Sequence, residues 1–266
     1  MKLSNRDYLE LTDEEIAAWK IVQEKENIKI EGVSFGKRNH FREYPKAVRH
    51  YLSLFPNKYL DIEELKDEEK ISSSLKHLLG IIHDDTSTER TILNYINDNK
   101  AYFIIGSILN YFPFGHHDAY VFPEFQVGNS FKVDYLIIGK NSDGYHFVCV
   151  ELEHPNKNIT IKDGSLGDAF RKGLSQTEDW ENWLEKYHGS LRETLEKHLN
   201  PSKQLPSEFF TNDKTRWHYV VVAGKRSDFQ EKTRKLKRNL LPSRKLLLHY
   251  ENLIDSSEAV IGKPCY

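Results

Sequence analysis

The chain has 266 residues, 38% hydrophobic and 29% charged, with a formal net charge of -2. This length fits one large domain or a core domain with an extension, and the nearly neutral charge excludes a globally basic nucleic-acid binder, so that any nucleic-acid surface must be a local patch. Two widely spaced cysteines, no apolar run of membrane-span length and no signal-peptide core predict a soluble cytoplasmic protein without a disulfide framework or a membrane partner.

The first part of the chain, residues 1–84, predicts a mainly helical extension. Residues 12–25 have helical spacing, and Thr12 and Glu15 form a capping box at their start. Further periodic segments predict one short strand, a second helix and then one or two more helices, at residues 28–35, 41–55 and 62–82. None of these segments has a pattern of catalytic residues, so we expect the extension to pack on the domain that follows.

A polar stretch then marks a boundary, and we predict a second domain at residues 85–266. Its first helix is predicted at residues 88–98, with Glu89 in the first turn, where a negative charge compensates the helix dipole. Its first strand is predicted at residues 119–126, and Glu124 lies just before the turn that leads to the next strand. Each acid could serve a site, or could be a plain surface or strand-end acid.

Two further strands joined by a turn carry the acids that most strongly indicate a functional site. They are predicted at residues 131–138 and 145–152, with glycine, asparagine and aspartate in the turn between them. Asp134 lies in the first strand, and Glu151 and Glu153 lie at the end of the second. Because side chains alternate along a strand, the two glutamates point to the same face, and an aspartate on the neighbouring strand completes an oxygen-ligand set that suits Mg²⁺ or Mn²⁺. A solvated strand end is the alternative origin of these acids.

A long helix is predicted next, beginning at Asp163 or Ser165 and ending near residue 187. Lys172 lies four residues before Gln176, so the two side chains share one face of this helix. Lys172 is either a cation of a site or a surface lysine, and Gln176 becomes informative when the chain is compared with known families.

The last part of the chain alternates again between strands and helices. Residues 191–212 are polar, contain two prolines and predict an insertion or a mobile loop. Residues 217–223 are an apolar run typical of a strand buried on both faces. A basic helix at residues 228–240 and a strand at 245–249 follow, and residues 250–253 begin a final short helix. The charged residues of the basic helix either contact phosphates or form a solvated face: Lys232, Arg234, Lys235, Lys237 and Arg238.

The placement of Asp134 on one strand and of Glu151 and Glu153 on the next resembles the PD-(D/E)XK nuclease core, in which an Asp and a Glu-x-Lys hold the metal. More narrowly, the segments ERTILNYINDN and AYFIIGSIL, Gln176 with an aromatic residue soon after it, and the closing strand, basic helix and strand resemble the Shedu anti-phage nuclease family, over roughly residues 85–260. The resemblance implies an α/β fold, with a mixed central sheet flanked by helices and a mainly helical N-terminal extension.

The resemblance also implies a function: a metal-dependent endonuclease that cleaves DNA in prokaryotic anti-phage defence. Asp134 and Glu151 would hold Mg²⁺ or Mn²⁺, Glu153 would hold a second ion or position the attacking water, and Gln176 would point at the site. Three further residues are implied as helpers of this site: Glu89, Glu124 and Lys172. Glu153 stands where most members of the superfamily have lysine, although some restriction enzymes also carry Glu there, and Lys172 could supply the missing positive charge.

Two other functions remain compatible with the sequence. The Glu153 substitution could mark a nuclease fold that has lost cleavage and binds nucleic acid or acts as a scaffold. The chain could also be an interaction protein whose acids lie only at a solvated strand end. By resemblance, the extension could be a regulatory or target-sensing module. DNA is the expected partner, and a homo-oligomer is compatible with the sequence.

Overall fold

The computed structural model describes residues 1–30, 33–37, 53–128 and 131–266, with side chains from 1–26, 53–128 and 131–266. The helix predicted at residues 41–55 lies almost wholly outside these residues. Within the described residues, no helix combines the length and the apolar character that crossing a membrane requires.

The described residues before position 38 form one helix and two paired strands. Helix α1 spans Asp13–Glu26, and its predicted capping box is confirmed: the Glu15 amide donates to Thr12 Oγ1 at 3.3 Å, and the Thr12 amide donates to Glu15 Oε2 at 3.0 Å. The single strand predicted at 28–35 is wrong, because the chain forms two short antiparallel strands, β1 (Asn27–Ile30) and β2 (Val33–Lys37). An alternating pattern does not show where a chain reverses direction.

The next helix, α2, joins the N-terminal part to the main core. It spans Glu68–His83, follows a short 3-10 helix at Ile62–Lys66, and begins at Asp67, whose side chain accepts from the Lys70 amide at 3.1 Å. Its buried residues pack in the same apolar cluster as the central strands: Ile71, Leu75, Leu78 and Ile82. The boundary near residue 84 stays a prediction.

The centre of the molecule is a five-stranded mixed sheet, which confirms the predicted α/β architecture. The strands lie side by side in chain order, with antiparallel pairing in the first two pairs and parallel pairing in the last two. They are β3 (Asp118–Val127), β4 (Phe131–Asn141), β5 (Gly144–Leu152), β6 (Trp217–Val222) and β7 (Lys245–Leu248). The helices around them are α3 (Glu89–Asp98), α4 (Phe103–Gly106), α5 (Asp168–Tyr187), α6 (Leu191–Glu196), α7 (Glu231–Leu240) and α8 (Tyr250–Val260).

Helices cover both faces of this sheet. On one face, Val148 and Val150 of β5 pack in a cluster that also contains residues of α2, α3, α4 and α8. On the other face, Phe147 packs in a cluster with Trp180 of α5, while Phe170, nearer the start of α5, packs on β6 and β7. Because both faces are covered, an acid on a central strand is buried unless it lies at the end of the strand.

Two predicted helix starts in the second half are wrong. Helix α5 begins at Asp168, because the Asp163 side chain accepts from the Ser165 amide at 2.8 Å and closes a separate turn. The basic helix begins at Glu231, after a 3-10 turn at Arg226–Asp228. The closing helix begins at Tyr250, as predicted, and continues to Val260, because apolar residues reach the core along it.

The segment at residues 191–212 is packed, which corrects the prediction of a mobile loop and leaves the prediction of an insertion untested. It contains α6 and a 3-10 helix at Ser207–Phe209. Its apolar side chains are buried in the cluster on the α5 face: Leu191, Leu195, Leu205 and Phe209. The Asn200 amide also donates to the Leu54 carbonyl at 2.7 Å. Prolines and polar residues therefore mark irregular backbone here, not a lack of packing.

Candidate active site

One edge of the sheet brings the predicted acids together. Tyr135 of β4 pairs with Pro123 of β3 on one side and with Val150 of β5 on the other. The next residue of each strand towards this edge is an acid: Glu124, Asp134 and Glu151. We call Asp134, Glu151 and Glu153 the acid cluster.

The backbone changes direction at this edge. Glu124 has φ +49°, a left-handed conformation that is uncommon for residues other than glycine and that occurs often near functional sites. Phe122 and Phe125 flank it and pack in the same apolar cluster, although three-residue spacing places side chains on opposite faces of a regular strand. The regular alternation of side chains along β3 is therefore interrupted at Glu124, directly beside Asp134.

The acid cluster is buried. Glu151 is 7% exposed and Glu153 is 3% exposed, while Asp134 is partly buried. Burial raises the pKa of all three carboxyls, and repulsion from Asp134 and Glu153 raises the pKa of Glu151 further. Asp134 is held in place by the Leu152 amide, which donates to its Oδ2 at 2.8 Å. Each carboxyl thus retains a negative charge at an energetic cost unless a positive charge comes close.

Lys172 brings one positive charge to the cluster. Its Nζ lies 2.9 Å from Oε2 of Glu153, and its side chain is 61% exposed, so that the ammonium lies at the mouth of the site. The Glu153 backbone is fixed from two sides: its amide donates to the Val222 carbonyl at 2.8 Å, and the Tyr250 hydroxyl donates to its carbonyl at 2.7 Å. Lys172 thus contacts the cluster although most of its side chain is exposed, and its role at the site stays a prediction.

Helix α5 lies close above the acids because of one glycine. A Cβ atom built on Gly173 would lie 2.4 Å from Cγ1 of Val221 in β6, so a larger residue would push the helix away from the sheet. This approach places the Gln176 amide within hydrogen-bonding reach of the Glu151 carboxyl. Lys172 and Gln176 therefore both lie near the acid cluster, and their four-residue spacing predicted only that they share a helix face.

The helper residues Glu89 and Glu124 also lie at this edge, in different situations. Glu89 begins α3 and is near enough to Glu153 to raise its pKa, in addition to the larger effect of burial. Glu124 is instead engaged by two cations: its Oε1 lies 2.5 Å from Lys132 Nζ and 3.5 Å from an Arg90 guanidinium nitrogen. Its carboxyl is less available as a ligand than those of the cluster.

Sequence reasoning missed Arg90 and Lys132. Arg90 follows Glu89 directly, which was the one signal in the sequence, but no spacing rule connects it with Glu124 on a distant strand. Lys132 lies on β4, and its contact with Glu124 depends on the register of the β3–β4 hairpin.

The basic helix α7 has several of its charges engaged within the molecule. Lys232 donates to a backbone carbonyl at 2.7 Å. Arg234 and Arg238 lie 3.8 and 3.5 Å from the same acid, Glu231. Burial lowers the pKa of Lys237. The contacts predicted between this helix and nucleic acid stay a prediction.

The donor chemistry at the acid cluster fits a hard divalent cation. Oε1 of Glu153 and Oε1 of Gln176 are buried oxygen atoms without a hydrogen-bond partner. A cation would satisfy such atoms and relieve the repulsion between the carboxyls. Among the described residues, no three His, Cys, Asp or Glu side chains are already in metal-binding positions, and Glu153 faces Lys172 instead.

Comparison with known families adds one match. The family described as Shedu protein SduA, C-terminal, matches residues 86–251, which is more than half of the chain. The match begins just before α3, ends within α8, and contains every residue of the site described above. No curated protein matches the chain.

Proposed function

From the premise that the chain belongs to the Shedu SduA C-terminal family, a family of anti-phage defence, we propose that it is a metal-dependent endonuclease that cleaves DNA. The observation that carries the proposal is the convergence of three acids from adjacent strands at one sheet edge, beneath Lys172 and Gln176 of α5. Buried like charges are costly, and a divalent cation at that place would offset the cost.

Asp134, Glu151 and Glu153 would hold a divalent ion, Mg²⁺ or Mn²⁺. A bound ion polarises a phosphate and lowers the pKa of the attacking water. Asp134 is oriented by the Leu152 amide, and Gln176 restrains the Glu151 carboxyl. These contacts fix the oxygen atoms before substrate arrives, which is the condition for effective electrostatic catalysis.

Lys172 would take the role that the motif lysine has in most members of the superfamily. Its ammonium reaches the Glu153 carboxyl from the helix rather than from the strand. A positive charge at the mouth of the site would stabilise negative charge that develops on a phosphate. Under this proposal, the positive charge missing at Glu153 is supplied by a lysine on another element, helix α5.

Cleavage of plasmid and linear DNA by the purified protein tests the proposal. We expect cleavage with Mg²⁺ or Mn²⁺, none with chelator, and none from Asp134→Ala or Glu151→Ala although both variants fold. Asp118→Asn is the matched control, because Asp118 is an acid with a raised pKa at the other end of β3. Wild-type cleavage by folded Asp134→Ala or Glu151→Ala would remove the proposed site.

A second function is favoured by one specific observation. Glu153 is paired with Lys172, and the described residues contain no preassembled group of metal ligands. In a protein that binds DNA without cleaving it, Glu153 and Lys172 would stay paired whether or not a divalent metal is present. DNA binding by the wild type, with no cleavage in any divalent metal, would support that function over the first.

A further inference from the structure

Three side chains from three elements meet beside the acid cluster. Arg90 comes from the first turn of α3, Lys132 from β4 and Glu124 from β3. Both cations lie within 3.5 Å of the same atom, Oε1 of Glu124. Arg90 is 65% exposed and Lys132 is 49% exposed, whereas Glu124 is 24% exposed. The acid is thus covered by two cations that face the solvent.

The backbone is shaped to bring these groups together. Glu124 adopts the left-handed conformation, which costs energy unless the surroundings hold it. The interrupted alternation at this residue places its carboxyl towards α3 and the start of β4, where Arg90 and Lys132 reach it. Only the hairpin register and the position of α3 together produce this contact.

The pair lies next to the acid cluster, on the side opposite to Lys172. Glu124 follows the residue that pairs with Tyr135, so it lies beside Asp134 across the β3–β4 ladder. Arg90 is near enough to Asp134 to favour its ionised form, against the larger effect of burial. Positive groups therefore flank the acids on two sides: Lys172 above β5, and the pair beside β4.

We propose that Arg90 and Lys132 bind a phosphate of the DNA strand adjacent to the phosphate that is cleaved, and that Glu124 is a positioning residue that holds the two cations in place. A guanidinium offers planar paired donors to a phosphate, and an ammonium adds a compact charge. This proposal rests on the proposed function for the identity of the substrate. It assigns Glu124 to the cations rather than to a metal ion.

The test is DNA binding in chelator, where no metal-dependent cleavage occurs, measured by fluorescence anisotropy on a short duplex over a range of salt concentrations. Each phosphate that a cation neutralises contributes about 0.9 to the slope of log affinity against log salt. Because both cations bind one phosphate, we expect the double variant Arg90→Ala/Lys132→Ala to lower this slope by about 0.9. Both side chains are exposed, so the variant is expected to fold.

Arg192→Ala/Lys214→Ala is the matched control. Each of these side chains is also exposed and paired with an acid, Glu196 or Glu185. They lie towards the other end of the sheet, since Lys214 is in the turn that leads into β6 and Arg192 lies over the ring of Phe210. This control loses the same charge, and we expect its slope to equal that of the wild type.

A charge-keeping variant, Arg90→Lys/Lys132→Arg, should retain the wild-type slope. The proposal is overturned if the double alanine variant keeps that slope, or if the control lowers it equally. Because the measurement needs no cleavage, it separates the two proposals. If the double alanine variant has a lowered slope but the wild type never cleaves DNA, the phosphate-binding pair is supported and the nuclease activity is refuted. If the slope is unchanged but the wild type cleaves DNA, the nuclease activity is supported and the phosphate-binding pair is refuted.

Discussion

Strand β3 carries an acid at each end, and the two ends differ in what surrounds the carboxyl. At its start, Asp118 accepts a hydrogen bond from the Tyr145 hydroxyl at 3.3 Å, and burial raises its pKa to about 6. At its other end, Glu124 lies beside the acid cluster, where carboxyls face carboxyls. A single buried acid can be satisfied by a hydroxyl donor or by a proton. A cluster of acids repels itself unless a proton or a cation compensates it, and we propose the metal site at this second end.

Among the residues that surround the acid cluster, Lys172 should have the largest effect on cleavage when it is removed. Lys172→Ala leaves the buried Glu153 without its cation and removes the positive charge at the mouth. We expect DNA cleavage to fall by about 10²–10³-fold, the range seen when one preorganised donor to a developing charge is lost. Cleavage rates at saturating metal measure it.

Arg171→Ala is the control for this variant, because Arg171 is the exposed neighbour on the same helix and pairs with Asp168 instead. The charge exchange Glu153→Lys/Lys172→Glu should recover part of the activity, since it keeps the pair and restores the common motif. If Lys172→Ala cleaves like the wild type, Lys172 is only a surface lysine.

Binding of a cation should distinguish the acid cluster from Asp118 without any measurement of cleavage. Mn²⁺ at a hundredfold excess over its dissociation constant should stabilise the folded protein by about 2.7 kcal/mol. Glu151→Gln should lose this stabilisation, and Asp118→Asn should keep it, because only Glu151 belongs to the cluster. Thermal unfolding with and without Mn²⁺ measures the difference. An equal shift in both variants would place the ion elsewhere.

Gln176 should have a smaller effect, because it supports a ligand rather than supplying one. Its amide lies against the Glu151 carboxyl, and its Oε1 has no hydrogen-bond partner. We expect Gln176→Ala to lower cleavage about tenfold, the lower end of the range for groups that orient metal ligands, with little change in the unfolding midpoint. Ser175→Ala, at the exposed neighbouring position, is the control. A parallel loss of stability and activity would make Gln176 a packing residue.

The sequence predicted the central parts of the site because they lie within regular elements. Asp134 and Glu151 lie on adjacent strands whose alternation and turn are visible in the chain, and Lys172 and Gln176 follow helical spacing. Arg90 could not be predicted, because its contact with Glu124 depends on a left-handed residue that interrupts the strand. Regular spacing predicts which side chains are neighbours within one helix or strand. Contacts between elements depend on strand register and on irregularities such as the left-handed residue.

The packed segment at residues 191–212 was missed for a related reason. Leu191 and Leu195 lie one helical turn apart, but α6 is only six residues long and is surrounded by polar residues. Leu205 and Phe209 reach the core from irregular backbone, where no period applies. Their burial depends on packing against α5 and the sheet, and the local sequence does not predict that packing.

The smallest predicted effect is on stability and concerns Asp118, the acid outside the cluster. The pKa of Asp118 is about 6 in the folded protein, against an ordinary value of 3.8, so the folded state binds more protons between these two values. Stability contributed by the protonated form is therefore lost as the pH rises from about 4 to about 6, and the loss is complete above that window. Asp118→Asn keeps the carboxyl shape without the charge and should be more stable than the wild type at pH 7.

We expect a difference of about 1 kcal/mol, since the shift in pKa corresponds to about 3 kcal/mol and partial exposure reduces it. The difference should vanish below pH 4, where Asp118 of the wild type is protonated. Urea unfolding of both proteins across this range measures it. A variant less stable than the wild type at pH 7 would mean that Tyr145 stabilises the charged carboxylate more than burial disfavours it, and the contrast between the two ends of β3 would then be one of degree.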